Sequence, residues 1–133
     1  MKIYAYCILP SHVHIIYEST NQKPAELLRD FKSYTSKELI KLINTNEQES
    51  RKEWLLNAFQ KVGTANSNNS KYQFWQQHNQ PIELWSNKVI DQKLDYIHNN
   101  PVISGFVSEP HYWKYSSAVD YTGIKGEVEI CLI

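Results

Sequence analysis

Two strand-like runs open the chain, Lys2 to Leu9 and His12 to Glu18, separated only by Pro10-Ser11. Both are rich in β-branched, aromatic and apolar residues, and so short a break between them predicts an antiparallel pair. The turn carries no Asn-Gly pair, so its type stays open. The first residues read as the beginning of a strand with no leader. No apolar stretch approaches the ~18 residues needed to cross a membrane, so no membrane partner is expected and the expected location is the cytoplasm. Cys7 and Cys131 form no C-x-x-C pair. A cysteine-based zinc site is therefore not expected, and Cys7 reads as a small buried hydrophobe.

The remaining 115 residues read mainly as helix and turn. From Lys23 to Asn44, Leu27, Leu28, Phe31, Tyr34, Thr35, Leu39, Leu42 and Ile43 recur at helical steps, with Pro24 in the first turn. A second, weaker helical pattern covers Glu53 to Val62, and Gly63 to Lys71 reads as a polar loop. Tyr72 to Trp85 predicts one or two short strands. Asn87 to Asn100 predicts a helix stopped by Pro101, and turns with aromatics follow from Gly105. No repeat or linker divides the chain, and 133 residues suit a single domain, 1–133.

Two short motifs carry chemistry. His12 and His14 alternate with Val13, so on a strand both imidazoles share a face. Two neutral imidazoles can hold a divalent cation and leave positions for phosphate oxygens and water. Val13, Ile15 and Tyr17 would then face the other way and anchor the strand. Taken alone, the pair is better explained by two polar residues on a half-exposed strand. Far downstream, Tyr96 and Asn100 lie four apart, on one face of a helix. Ile90, Leu94 and Ile97 make the core stripe, with Lys93, Tyr96 and Asn100 beside it. Asn100 offers an oxygen to a hard cation such as Mg²⁺ or Mn²⁺. The chain has nine tyrosines, and most of them are expected to serve packing.

A cation bound to a phosphodiester stabilises the transition state, and a phenol that attacks there becomes a covalent phosphotyrosine. The bond is thereby held for rejoining to another strand. Metal plus tyrosine thus points to cutting, holding and rejoining a nucleic-acid strand. Fourteen basic residues balance fourteen acidic ones, which argues against binding by overall charge. The helix with Arg29, Lys32, Lys37 and Lys41 is the candidate for phosphate contact, although a solvated face explains those cations equally well.

With both motifs in hand, the chain resembles the single-tyrosine HUH transposases, and among them the REP-associated tyrosine transposases. The resemblance rests on Cys7-Ile8-Leu9-Pro10-Ser11-His12-Val13-His14-Ile15-Ile16, on Leu28 to Ser36, on Tyr72-Gln73-Phe74-Trp75-Gln76, on Asp95-Tyr96-Ile97-His98-Asn99-Asn100-Pro101-Val102, and on Tyr112 to Ala118. It implies His12, His14 and Asn100 as ligands of a divalent metal ion, and Tyr96 as the nucleophile forming a 5′-phosphotyrosine. The implied substrate is single-stranded DNA with a hairpin near the cut, acted on during transposition.

The implied fold is α+β, a ferredoxin-like antiparallel sheet with helices on one face. Family members place a strand and a helix before the histidine pair, whereas this chain starts at the pair, so the sheet is expected to be incomplete at the N-terminus, with an open edge. Three outcomes stay open: an upstream start, a homodimer that completes the sheet, or an inactive remnant. The alternative function is accordingly a catalytically inactive module that binds hairpin DNA.

Overall fold

The computed structural model describes residues 1–66, 71–77, 79 and 81–133. The chain divides into two compact units. One joins Met1–Pro24 to Ile82–Ile133, and the other is Ala25–Pro81.

The first unit is built on a hairpin of β1 (Lys2–Ile8) and β2 (Val13–Glu18). The strands pair antiparallel, with Cys7 opposite His14 and Ala5 opposite Ile16, and Tyr4 is the extra residue of an irregularity between Ile3 and Ala5. The Leu9 N–H donates to the His12 carbonyl at 2.9 Å and closes the turn around Pro10-Ser11.

The C-terminal tail follows the other edge of β1. Ile8 N–H donates to Tyr115 C=O, Cys131 N–H donates to Ile3 C=O, and the Trp113 indole N–H donates to Ile8 C=O. Ile3, Tyr6 and Ile8 therefore direct their main-chain groups away from β2. Their partners Tyr17, Ile15 and Val13 direct theirs away from β1, as alternation in an antiparallel ladder requires. Among the described residues the sheet has only these two strands. The molecule is α+β, a hairpin with three main helices. The ferredoxin-like sheet implied by the resemblance is not formed among the described residues. The tail bonds to β1 through scattered main-chain and side-chain groups, with a single bridge between Cys7 and Ser116, and makes no third strand.

Helix α3 (Asn87–Ile103) covers the hairpin. Ser86 caps its start, accepting from Val89 N–H through its hydroxyl. The helix expected to stop at Pro101 runs one turn further. Pro101 removes one intrahelical donor, and its surroundings make up for the loss. Pro101 is fully buried, Ser104 N–H and Phe106 N–H reach the Asn100 and Pro101 carbonyls, and Gly105 takes the left-handed conformation at φ 76°.

Ile97 joins Ala5, Cys7, Leu9 and Ile16 in the buried core, with Leu84, Leu94 and Trp113 around it. Ile16 shares its face of β2 with His14. The helix therefore covers the histidine face, and Val13, Ile15 and Tyr17, expected to anchor the strand, stay half-buried on the other. A buried hydroxyl ties helix to strand: Ser117 Oγ accepts from Tyr6 N–H at 2.9 Å and lies 2.9 Å from His98 Nε2. Burial lowers the His98 pKa, against the upward pull of Asp95 and Asp120, which keeps the ring neutral there.

The second unit holds α1 (Pro24–Thr45), α2 (Lys52–Thr64) and an irregular segment after them. No residue of α1 is fully buried. The aromatics expected to form a strand pack on the helices instead: Trp75 donates from its indole N–H to Thr35 Oγ1, and the rings of Phe74 and Phe59 lie 5.1 Å apart. No strand occurs between residues 72 and 85 among those described. Part of the expected polar loop, residues 67–70, lies outside the described residues, and Gly63 and Thr64 belong to α2.

Among the described residues, no helix is long and apolar enough to cross a membrane.

Candidate metal and tyrosine site

His12 sits in the turn immediately before β2, and His14 is the second residue of the strand. Their ring centroids are 4.9 Å apart, edge to face. The Ser11 hydroxyl lies 2.9 Å from His12 Nδ1, which leaves Nε2 as the nitrogen able to take a ligand. His14 is half-buried. Burial first, and then the neighbouring His12, lowers its pKa, so the imidazole is neutral near pH 7 with a lone pair to offer.

Helix α3 brings the downstream motif to the same place. Asn100 is buried, and its side-chain amide nitrogen lies 3.2 Å from His14 Nε2, 86 positions away in sequence. The Tyr96 ring lies edge-on to His14 with centroids 5.4 Å apart, and Tyr96 keeps half of its surface exposed. The helix stays regular through Asn100, so Tyr96 and Asn100 keep the four-residue spacing that puts both on one face. Lys93, one turn earlier, places its ammonium 5.9 Å from the Tyr96 ring centroid.

Among the described residues, no group of three or more His, Cys, Asp or Glu could hold a metal. A cation at this place would rest on two imidazoles and one carboxamide. The donors fit that task. A carboxamide turned by 180° presents oxygen where nitrogen now stands, and the two assignments are chemically close. A separation of 3.2 Å is also close to the roughly 3 Å between neighbouring ligands around a cation with ~2.1 Å bonds. Imidazole and carboxamide bind a cation as neutral ligands, so the full charge of a divalent ion would remain to attract an anionic substrate.

The four cations expected to touch phosphate, all within the second unit, differ in their surroundings. Arg29 is paired with Asp30 at 2.9 Å. Lys32 is held by the Gln76 carbonyl and Asn79 Oδ1, and burial lowers its pKa. Lys37 and Lys41 are exposed on α1 and line a groove together with Lys71 and Tyr72. Neither Lys71 nor Tyr72 was singled out from sequence as a phosphate contact. Ser11, beside the histidine, was also missed, and only its adjacency to the motif signals it, whereas Lys93 was read on the stripe of Tyr96 and Asn100 without a role.

Compared with family models, with curated proteins and with solved structures, the chain matches none.

Proposed function

We propose that this chain is a metal-dependent tyrosine transposase or endonuclease of the HUH type, which cleaves and rejoins single-stranded DNA. The observation that carries the reading is the meeting of His14 with both Asn100 and Tyr96, from a strand and a helix far apart in sequence. Packing does not require these chemistries together, and the histidine–amide–phenol set is the one the reaction needs.

In this reading His12, His14 and Asn100 hold Mg²⁺ or Mn²⁺, which when bound supplies charge stabilisation to the scissile phosphate. Tyr96 is the nucleophile. The residue keeps half of its surface exposed, as a side chain that must meet a polymer substrate requires. The phenol oxygen bonds to phosphorus, the bond to the 3′ oxygen breaks, the phenol proton passes to solvent, and the departing 3′ oxygen takes up a proton. A 5′-phosphotyrosine and a free 3′ hydroxyl result. Reversal with a new 3′ hydroxyl rejoins the strand. Lys93 brings a positive charge to the same helix face, where the phosphate would arrive. Arg29, Lys32, Lys37 and Lys41 belong to the reading as DNA contacts, with Lys37 and Lys41 the better placed. The finer fold that accompanies the reading is a ferredoxin-like sheet completed along β2, with which no strand but β1 pairs among the described residues.

The test is covalent attachment. With Mn²⁺ and a labelled hairpin carrying a single-stranded flank, the protein should give a labelled band on a denaturing gel. Tyr96→Phe should abolish that band while hairpin binding persists. An adduct that survives in Tyr96→Phe refutes the nucleophile. Retarded but uncut DNA with the native chain would make it a hairpin-binding module instead.

A further inference from the structure

Helix α3 is attached to the hairpin on two flanks. At ~100° per residue, His98 stands about 160° round the helix from both Tyr96 and Asn100, with Leu94, Ile97 and Pro101 between them. On one flank Asn100 and Tyr96 meet His14. On the other, His98 Nε2 lies 2.9 Å from the hydroxyl of the fully buried Ser117. That hydroxyl holds both main-chain groups of Tyr6, accepting from its N–H at 2.9 Å and donating to its carbonyl at 3.2 Å. Tyr6 directly precedes Cys7, the partner of His14 in the ladder. The contacts therefore close a ring: His98, Ser117, Tyr6, Cys7, His14, Asn100 and back along α3.

The same bonds fix which ring nitrogen of His98 carries hydrogen. Ser117 has one hydroxyl hydrogen, and it goes to the Tyr6 carbonyl. Were it to point to His98 instead, that buried carbonyl would lose its donor. Ser117 Oγ therefore accepts from His98, and the ring stands as the Nε2–H tautomer. The Tyr121 ring packs on it with centroids 5.0 Å apart, and the Tyr121 hydroxyl donates to the Tyr4 carbonyl at 3.0 Å.

We propose that His98 and Ser117 are positioning residues, which fix the roll of α3 on the hairpin and so hold Asn100 and Tyr96 against His14. Ile97 and Leu94 bury apolar surface without prescribing an angle, because that force has no direction, whereas a hydrogen bond has one. Little roll can be spared. A helix with its side chains is ~10–12 Å across, so a roll of about 20° moves a group at its rim by about 2 Å. That is enough to break the 3.2 Å contact between Asn100 and His14. The contact cannot itself hold the roll once both groups turn to a cation, which leaves the far flank to do so. As a role in catalysis the inference rests on the proposed metal and tyrosine reading. As a role in geometry it does not.

The experiment uses the full chain. His98→Leu and Ser117→Ala remove the bond from either side, and His98→Gln restores a donor through its side-chain amide. Without metal or DNA, NMR of the native chain should show cross-peaks between the His14 and Tyr96 rings and a hydrogen on His98 Nε2. In His98→Leu and Ser117→Ala the ring cross-peaks should be lost while the core cross-peaks of Ile97 persist, and His98→Gln should bring them back. If one of the two removals unfolds the chain, the other decides. With Mn²⁺ and saturating hairpin DNA, both removals should slow adduct formation about a hundredfold, as a displacement of ~1 Å does, with DNA affinity unchanged. His98→Gln should recover most of that rate. Three results would overturn the proposal: native ring cross-peaks in the removal variants, hydrogen on His98 Nδ1 instead of Nε2, or His98→Gln behaving as His98→Leu does. A native chain that forms no adduct would end the tyrosine reading, and the cross-peaks would still decide the geometry.

Discussion

In the first unit, strand, helix and tail all contribute fully buried residues. In the second, only Gly63 is buried to that degree among the described residues. The first unit also buries polar groups: His98, Asn100, Ser116 and Ser117. A buried polar group must find a partner or cost stability, so each of these has one geometry to satisfy. This is how the first unit can hold an imidazole and an amide within 3.2 Å. The second unit keeps half-buried aromatics and solvated lysines, a surface that demands less of its packing. Placing reactive atoms to a fraction of an ångström calls for buried side chains held by packing and hydrogen bonds, whereas attracting a charged polymer calls only for cations on a stable face.

The sharpest break in that comparison is a pair of truncations. Ile97→Ala should cost about 2–4 kcal/mol in chemical denaturation, because it opens a cavity at the centre of the first unit's core. Leu42→Ala on α1, where the side chain is 60% exposed, should change stability by about 0.5 kcal/mol or less. Equal costs would erase the contrast.

A smaller effect sharpens the polar side of the comparison. Ser117→Ala should cost about 1–3 kcal/mol, because Tyr6 N–H and His98 lose their shared buried partner. A thermal shift no larger than that of an exposed serine, such as Ser108→Ala, would show that the buried hydroxyl does not tie α3 to β1.

The smallest effect concerns the first unit's exposed margin. The Tyr4 hydroxyl donates to the Glu18 carboxylate, and that hydrogen bond, followed by the charge of Lys2, holds the Glu18 pKa below its ordinary value. A carboxylate depressed in the folded state contributes stability above its unfolded pKa and loses it as pH falls through the folded one. Tyr4→Phe should therefore differ from the native chain at neutral pH, and the difference should shrink as pH falls below about 4, near the ordinary glutamate value, and vanish below the depressed native one. A difference that persists unchanged into acid would assign the effect to packing.

Much of this organisation was legible in sequence where the signal is local. The two strand runs, Pro24 at the start of α1, and the weaker α2 pattern are found within a residue or two of their places. Pro101 misled because burial of that ring together with the bonds beyond it outweighs the one donor lost. The aromatics after Tyr72 read as strand because strand propensity in large part measures burial of such rings, and two helices supply that burial here. The four-residue step from Tyr96 to Asn100 was legible, whereas their approach to His14 was implied only by the resemblance, since nothing in spacing relates a strand to a helix so far away.

By itself the sequence determined the local periods: which residues share a strand face, which share a helix face, and where the backbone can turn. These follow from covalent geometry and need no partner. Only the tertiary structure decided that the histidine face of β2 is the covered one, that the tail and not another strand follows the edge of β1, and that Lys37, Lys41 and Lys71 border one groove while Lys32 is held elsewhere. A period states which side chains lie together. Which face loses its water depends on what packs against it, and that is settled by contacts between residues far apart in the chain.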